Sequence, residues 1–147
     1  MRTAPANILL IEDNPDHAEL TVHGLKNCGL VNKIDVVGDG EKALEYLHGK
    51  GDFSNRQKFP LPTLILLDIK LPKVDGLAVL KAVKKDPVLK KIPVIILTTS
   101  ESDKDIAEAY AEGANSYIAK PISFSKFVDK VGSMGFYWTV TNTLPDI

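Results

Sequence analysis

Uninterrupted apolar runs alternate along the chain with segments whose apolar residues recur at helical spacing. Three runs, at residues 8–11, 64–67 and 94–97, contain no polar position. Continuous apolar strands are typical of parallel sheets that helices cover on both faces. Two weaker runs, at residues 34–37 and 117–119, predict two further strands. The pattern therefore predicts five strands.

A residue suited to cap a helix precedes each of the segments between the runs. Asn, Asp and Ser side chains accept hydrogen bonds from the free N–H groups of a first helical turn. Pro15 also suits the first position of a helix. Strand and helix therefore alternate five times, which predicts a doubly wound five-stranded parallel sheet, α/β in class, with the flavodoxin-like order 2-1-3-4-5. The predicted caps are Asn14, Asp39, Asp75, Ser102 and Ser123.

Helical spacing also predicts which side chains face the core. In the first helix these are Leu20, Val22, Leu25 and Cys28, with Gly29 at its end. In the fourth helix they are Ile106, Ala107 and Ala111, with Gly113 at its end. The polar segment 51–62 carries two phenylalanines, and we expect it to be an ordered surface loop.

Charge and composition narrow the class of protein. The formal net charge of −1, with both signs interspersed, argues against a protein that binds nucleic acid through a basic field. We interpret the lysines at positions 81–91 as a solvated face. The single cysteine, Cys28, allows no intrachain disulfide. The chain has neither a signal-peptide pattern nor an apolar stretch long enough to span a bilayer, which predicts a one-domain cytoplasmic protein.

Chemically reactive side chains follow four of the predicted strands. Glu12 and Asp13 follow the first strand, Asp68 the third, Thr98 ends the fourth, and Lys120 follows the fifth. In a doubly wound fold the carboxyl ends of the strands carry the functional site. We therefore expect three carboxylates, a hydroxyl and an ammonium to lie at one edge of the sheet.

Electrostatics indicates what such a site holds. Two like charges about 4 Å apart repel by about 4 kcal/mol at an effective dielectric constant near 20. Lys120 supplies one positive charge against three negative ones, so the site needs another cation. Oxygen ligands favour a hard ion such as Mg²⁺.

The predicted site residues belong to a longer pattern that includes residues 68–72, Asp75-Gly76 and Lys120-Pro121. Over about residues 7–131 this pattern resembles the receiver domain of two-component response regulators. The resemblance implies that Asp68 accepts a phosphoryl group from the phosphohistidine of a partner histidine kinase. It also implies that Lys120 and Thr98 contact that group, and that the bond before Pro121 is cis. The metal ligands implied are Glu12, Asp13, Asp68 and the backbone carbonyl of Lys70.

The resemblance further implies how phosphorylation is read out. Thr98 and Tyr117 would rearrange and change a protein-interaction surface made of helix 4, strand 5 and helix 5. Asp75 and Gly76 are interpreted as structural, the first capping a helix and the second beginning it. The three histidines lack metal-ligand spacing, and His17, near the rim of the site, is given no role.

Beyond the receiver pattern the chain divides into an N-terminal tail, residues 1–6, and an aromatic extension, residues 132–147. About 16 residues are too few for an output domain, so we expect a stand-alone regulator. The extension resembles that of single-domain regulators paired with bacteriophytochrome kinases, where it contributes to homodimers. Packing of the extension on its own domain is the alternative. Its apolar residues are Met134, Phe136, Tyr137, Trp138, Val140 and Leu144.

The resemblance implies a phosphoacceptor that is not an enzyme but catalyses its own phosphoryl transfer and autodephosphorylation. Two other functions compete with this one. A pseudo-receiver would act as a constitutive interaction module, although all five site residues are present. A Mg²⁺-dependent phosphatase with an aspartate nucleophile needs a second acid two positions later, where this chain has Lys70.

Overall fold

The computed structural model describes residues 6–26 and 31–120. Within these residues five parallel strands form one sheet in the order β2-β1-β3-β4-β5, as the sequence predicts. The strands are β1 (Ala6–Ile11), β2 (Val31–Val37), β3 (Leu64–Leu67), β4 (Val94–Thr98) and β5 (Ser116–Ala119).

Four α-helices of the described part connect these strands. They are α1 (Pro15–Lys26), α2 (Gly40–His48), α3 (Gly76–Lys85) and α4 (Asp103–Ala111). Short 3₁₀ turns cover Gly51–Phe53 and Leu89–Lys91. None of the helices at residues 6–26 and 31–120 is long and apolar enough to cross a membrane.

Alternate residues of each central strand enter two separate cores. Leu9 and Ile11 pack with side chains of α2, α3 and α4, whereas Ile8 and Leu10 pack with side chains of α1. Successive side chains of a strand point to opposite faces, so a strand covered on both faces must be apolar throughout. This explains the uninterrupted apolar runs in β1, β3 and β4.

The predicted inward residues of two helices need correction. In α1 the buried residues include Ala18, Thr21 and Leu25, while Leu20 and Val22 are only partly buried. In α4 the buried residue is Ala109, and Ala107 and Ala111 are exposed. Both helices have few large apolar residues, so sequence spacing alone left the orientation of each helix poorly defined. Cys28 and Gly29 lie outside the described residues.

Four of the five predicted caps lie within the described residues. The side chains of Asp39 and Ser102 accept hydrogen bonds from the N–H groups of Lys42 and Asp105, as expected. Asp75 occupies the N-cap position of α3, but its side chain makes no capping hydrogen bond, so the prediction that it caps was wrong in this respect. Asn14 also accepts hydrogen bonds from the first turn of α1.

The segment between α2 and β3 is ordered, as predicted. The Arg56 guanidinium donates to the carbonyl oxygens of Tyr46, Leu47 and Phe59 at 2.7–3.1 Å, which ties the segment to the end of α2. The lysines at positions 81–91 form only partly a solvated face. The Lys84 side chain is half-buried and its ammonium donates to the Ile92 carbonyl at 3.0 Å.

Candidate functional site

The main chain of three site residues is held by hydrogen bonds that continue the sheet beyond the strand ends. The N–H groups of Glu12, Asp68 and Lys120 donate to carbonyl oxygens of neighbouring strands at 2.7–3.0 Å. A hydrogen-bonded sheet is more rigid than a surface loop. These three residues therefore lie side by side at the carboxyl edge, as the strand order predicts.

The Lys120 ammonium lies at the centre of the site. Its Nζ is 3.1 Å from Oδ2 of Asp68 and 3.1 Å from Nδ1 of His17, and it also contacts Oε1 of Glu12. A lysine ammonium has three N–H donors and no acceptor. Each donor therefore has a protein acceptor available when Nδ1 of His17 is the unprotonated ring nitrogen.

Asp68 is 7 % exposed, and both of its carboxylate oxygens receive a hydrogen bond. Oδ1 accepts from the Lys70 N–H at 2.9 Å, and Oδ2 accepts from Lys120. Each oxygen has two lone pairs, so each retains the capacity to bind an ion or another group.

Burial and charge act in opposite directions on two neighbours of Lys120. Burial raises the pKa of Glu12, and the hydrogen bond with Lys120 opposes that increase. Burial lowers the pKa of His17, and the positive charge of Lys120 lowers it further. On balance the pKa of Glu12 is raised despite its contact with Lys120, and the lowered pKa of His17 favours the neutral imidazole ring.

Three carboxylates form a cluster that fits a divalent ion. One oxygen each from Glu12, Asp13 and Asp68 lies within 4.8 Å of the others. Glu12 and Asp68 are buried and Asp13 is exposed, so an ion bound here would contact protein oxygens and water together. An all-oxygen, partly hydrated coordination suits Mg²⁺ and similar hard cations. The donor set thus fits the ion that the sequence predicts.

The cluster opens into a surface pocket of about 210 Å³. Lys70 lines this pocket, and so does Thr99. Thr98 is fully buried, and it is not among the described residues that line the pocket. The structure therefore brings Glu12, Asp13, Asp68 and Lys120 together at the pocket, whereas Thr98 is buried beside it in β4.

Gly76 packs directly against the segment that carries Asp68. A Cβ atom built on Gly76 would lie 2.3 Å from the Asp68 carbonyl oxygen and 2.4 Å from Cα of Ile69. Real Cβ atoms do not approach other atoms so closely, so only glycine fits at this position. The Asp75-Gly76 pair is structural, through this close approach rather than through capping by Asp75.

A second set of polar contacts joins the site to α4 and β5. The Tyr117 hydroxyl donates to the Ser100 carbonyl at 2.9 Å. The Ser100 hydroxyl donates to Oδ2 of Asp105 at 2.5 Å, and Nζ of Lys70 lies 3.6 Å from the same oxygen. Sequence reasoning missed Asp105 entirely.

Sequence reasoning also left His17 without a role, although its position carried a signal. The residue lies in the first turn of α1, which begins two positions after Asp13 and therefore at the edge of the site. The predicted cis bond before Pro121, helix 5 and the aromatic extension lie outside the described residues.

The chain matches the family described as the response regulator receiver domain over residues 8–132. It is 42% identical over 143 residues to the probable methanogenesis regulatory protein FilR2 of Methanothrix harundinacea, covering 96% of this chain and 88% of that protein. It is 36% identical over 141 residues to the response regulator Rcp1 of Synechocystis sp., covering 96% and 94%.

Solved structures of response regulators are also similar to this chain. The phosphorylated cyanobacterial phytochrome response regulator RcpA superposes with a TM-score of 0.91 at 38% identity, covering 97% of this chain and 100% of that one. The Mn²⁺-bound form of Rcp1 superposes with a TM-score of 0.89, with the same coverage. By sequence, fold and the carboxylate cluster at its strand ends, this chain belongs to the response regulator receiver domain family.

Proposed function

We propose that this receiver domain accepts a phosphoryl group from a sensor histidine kinase onto Asp68. One observation carries the proposal. The Asp68 carboxylate lies 3.1 Å from the Lys120 ammonium, at a pocket where Glu12 and Asp13 bring two further carboxylates within 4.8 Å. A nucleophilic oxygen, a fixed cation and an ion-binding cluster are the parts that phosphoryl transfer requires.

The transfer would proceed as follows. A carboxylate oxygen of Asp68 attacks the phosphorus of the donor phosphohistidine, and the phosphorus–nitrogen bond breaks with its electron pair going to the leaving imidazole. Lys120 then donates to a phosphoryl oxygen instead of to one of its present acceptors. The Thr98 hydroxyl donates to another phosphoryl oxygen after moving out of its buried position.

Mg²⁺ would be held by Glu12, Asp13, Asp68 and the backbone carbonyl of Lys70. When bound, the ion offsets the negative charge of the carboxylates and of the phosphoryl oxygens. The relative Rcp1 is known in an Mn²⁺-bound form, which supports a divalent ion in this family without deciding between the two metals.

Phosphorylation would be read out through Thr98 and Tyr117. The Tyr117 hydroxyl already contacts the carbonyl of Ser100, two residues after Thr98, so a shift of Thr98 can be passed to β5. The surface that changes would comprise α4, β5 and the helix predicted after Ser123. Thr98→Ala should leave phosphorylation intact and weaken phosphorylation-dependent association. Equal association with and without a phosphoryl analogue in both proteins would contradict this readout.

The partner would be a phytochrome-type histidine kinase, and the regulator would form a homodimer through the same surface and the aromatic extension. The similar protein RcpA is a cyanobacterial phytochrome response regulator, which supports a phytochrome-type kinase as the partner. Sedimentation of the wild type and of Trp138→Ala tests the homodimer, since a dimer that depends on the extension should dissociate in the variant.

The central experiment is incubation with acetyl phosphate and Mg²⁺ followed by intact-mass measurement. The wild type should gain the mass of one phosphoryl group, and Asp68→Asn should gain none. Asp52→Asn, which changes an exposed aspartate of the loop after α2, is the matched control and should behave as the wild type. Decay of the added mass after removal of the donor measures autodephosphorylation.

An equal gain of mass in Asp68→Asn would refute Asp68 as the acceptor. A protein that gains no mass from acetyl phosphate or from any kinase, and yet binds its partner, would instead be a constitutive interaction module.

A further inference from the structure

The Lys70 side chain lies between the phosphoacceptor and helix α4. The Lys70 N–H donates to Oδ1 of Asp68 at 2.9 Å, so its backbone is fixed beside the acceptor carboxylate. Its side chain is 66 % exposed and lines the same pocket as Asp68. The ammonium nitrogen points to α4 and lies 3.6 Å from Oδ2 of Asp105.

Asp105 is the anchored member of this ion pair. Its backbone N–H donates to the Ser102 hydroxyl at 3.0 Å, and its Oδ2 accepts from the Ser100 hydroxyl at 2.5 Å. The Asp105 side chain is only 17 % exposed. Lysine carries its charge on a flexible four-carbon chain with three donors. Of the two partners, Lys70 is therefore the one that can turn toward another anion.

We infer that Lys70 exchanges partners: its ammonium pairs with Asp105 in the unphosphorylated protein and with the phosphoryl oxygens once they are attached to Asp68. This inference rests on the proposed function. A phosphoryl group carries nearly two negative charges and three strong acceptor oxygens, whereas Asp105 offers one charge. The group would be attached to a carboxylate that already contacts the Lys70 backbone, so it lies within reach of the side chain.

The exchange makes Asp105 a competitor of the phosphoryl group. An interaction made in only one of two states shifts the equilibrium toward that state. Removing the charge of Asp105 therefore destabilises only the unphosphorylated state and should increase affinity for a phosphoryl analogue. An exposed ion pair contributes about 0.2–1 kcal/mol, which corresponds to about a 1.5- to 5-fold change in affinity.

The chain offers a matched control on the same helix. Lys104 and Glu108 form an ion pair of α4 at 3.9 Å, and neither residue lines the pocket described above. Glu108→Gln removes the same charge from α4 as Asp105→Asn without freeing Lys70. Asn at position 105 keeps a side-chain oxygen that accepts from Ser100, so the N-terminal turn of α4 retains its contacts.

The test is the affinity for beryllofluoride, a phosphoryl analogue, at fixed Mg²⁺ and low salt, followed by amide chemical shifts. Asp105→Asn should bind it about 1.5- to 5-fold more tightly than the wild type, and Glu108→Gln should bind it equally well. In a Lys70→Met background, which should itself bind more weakly, Asp105→Asn should have no effect.

Each other result has a definite meaning. Unchanged or weaker binding in Asp105→Asn, an equal gain in Glu108→Gln, or the same gain without Lys70 would overturn the partner exchange. Failure of the wild type to bind beryllofluoride, with Asp68→Asn behaving identically, would overturn the proposed function itself.

Discussion

The ammonium nitrogen of Lys120 lies 3.1 Å from Oδ2 of Asp68, although 52 positions separate the two residues along the chain. Both side chains are buried. Removal of one member of a buried ion pair costs about 3–5 kcal/mol because the other charge loses its partner. The proposed acceptor carboxylate therefore already has a fixed cation beside it.

Lys120 leaves the carboxylate cluster with an excess of negative charge, so we expect Asp13→Asn to stabilise the metal-free protein. Asp13 is exposed, which limits the gain in unfolding free energy to about 1 kcal/mol. The same variant should lose most of its stabilisation by Mg²⁺. At a Mg²⁺ concentration ten times its Kd, binding should stabilise the wild type by about 1.4 kcal/mol.

Thermal unfolding in EDTA and in Mg²⁺ measures both effects. Asp16→Asn, which changes an exposed aspartate of α1, is the control for the lost charge. Identical melting temperatures of the wild type in EDTA and in Mg²⁺ would argue against an ion site at this cluster.

Gly76→Ala should damage both stability and phosphorylation. The added methyl group would lie 2.3 Å from the Asp68 carbonyl oxygen, so the backbone of α3 or of the acceptor segment must shift. Overpacking of this kind costs about 1–3 kcal/mol. A shift of Asp68 should also reduce the rate of phosphorylation by acetyl phosphate.

The control is Gly38→Ala, where the nearest atom to the new methyl group is 4.0 Å away, at the Glu12 carbonyl oxygen. Urea unfolding and intact-mass kinetics should distinguish the two variants. Equal behaviour of both variants would mean that the close approach at Gly76 is unimportant.

Two aspartates at the start of helices should differ in their contribution to stability. The Asp39 side chain accepts from the Lys42 N–H at 2.8 Å, while Asp75 makes no capping hydrogen bond. Asp39→Ala should lower the unfolding free energy by about 1 kcal/mol, the usual value for loss of a cap. Asp75→Ala should lower it by less than half as much in the same urea titration.

Tyr46 should make stability depend on alkaline pH. Burial raises the pKa of Tyr46 above its ordinary value of 10.0, and its 2.5 Å hydrogen bond to Asp35 raises that pKa further. Above pH 10 the unfolded chain loses this proton while the folded protein keeps it. The contribution of Tyr46 to stability is therefore complete below pH 10 and is lost as the pH rises through the folded pKa.

The measurement compares urea unfolding of the wild type and of Tyr46→Phe at several pH values. Near neutral pH the variant should be less stable by about 1 kcal/mol, because a hydrogen bond is lost. Above pH 10 that difference should shrink by up to about 1.4 kcal/mol per pH unit. If stability falls equally steeply above pH 10 in the wild type and in Tyr46→Phe, Tyr46 is not the origin of the pH dependence.

The sequence by itself was sufficient for the strand order and for the edge at which the site lies. Buried parallel strands need apolar side chains on both faces, so the runs that became β1, β3 and β4 were visible without coordinates. The residue after each run could then be assigned to one edge of the sheet. Glu12, Asp13, Asp68 and Lys120 were found in this way.

The inward-facing side of α1 and α4 was harder to predict from the sequence, because both helices present small or polar residues to the core. The buried positions Thr21 and Ala109 have little hydrophobic signal of their own, and neighbouring strands decide which face turns inward. The ordering of the loop after α2 by Arg56 likewise depends on carbonyl groups that only the folded helix end leaves available.

The sequence by itself determined which residue types lie at the site, since both the residue types and the ends of the strands can be identified from the sequence. Only the tertiary structure decided which neighbours those residues meet. The contact of His17 with Lys120 joins positions 103 residues apart, and that of Lys70 with Asp105 joins side chains of different elements. Such pairs arise from the distances between packed elements, which local sequence patterns do not encode.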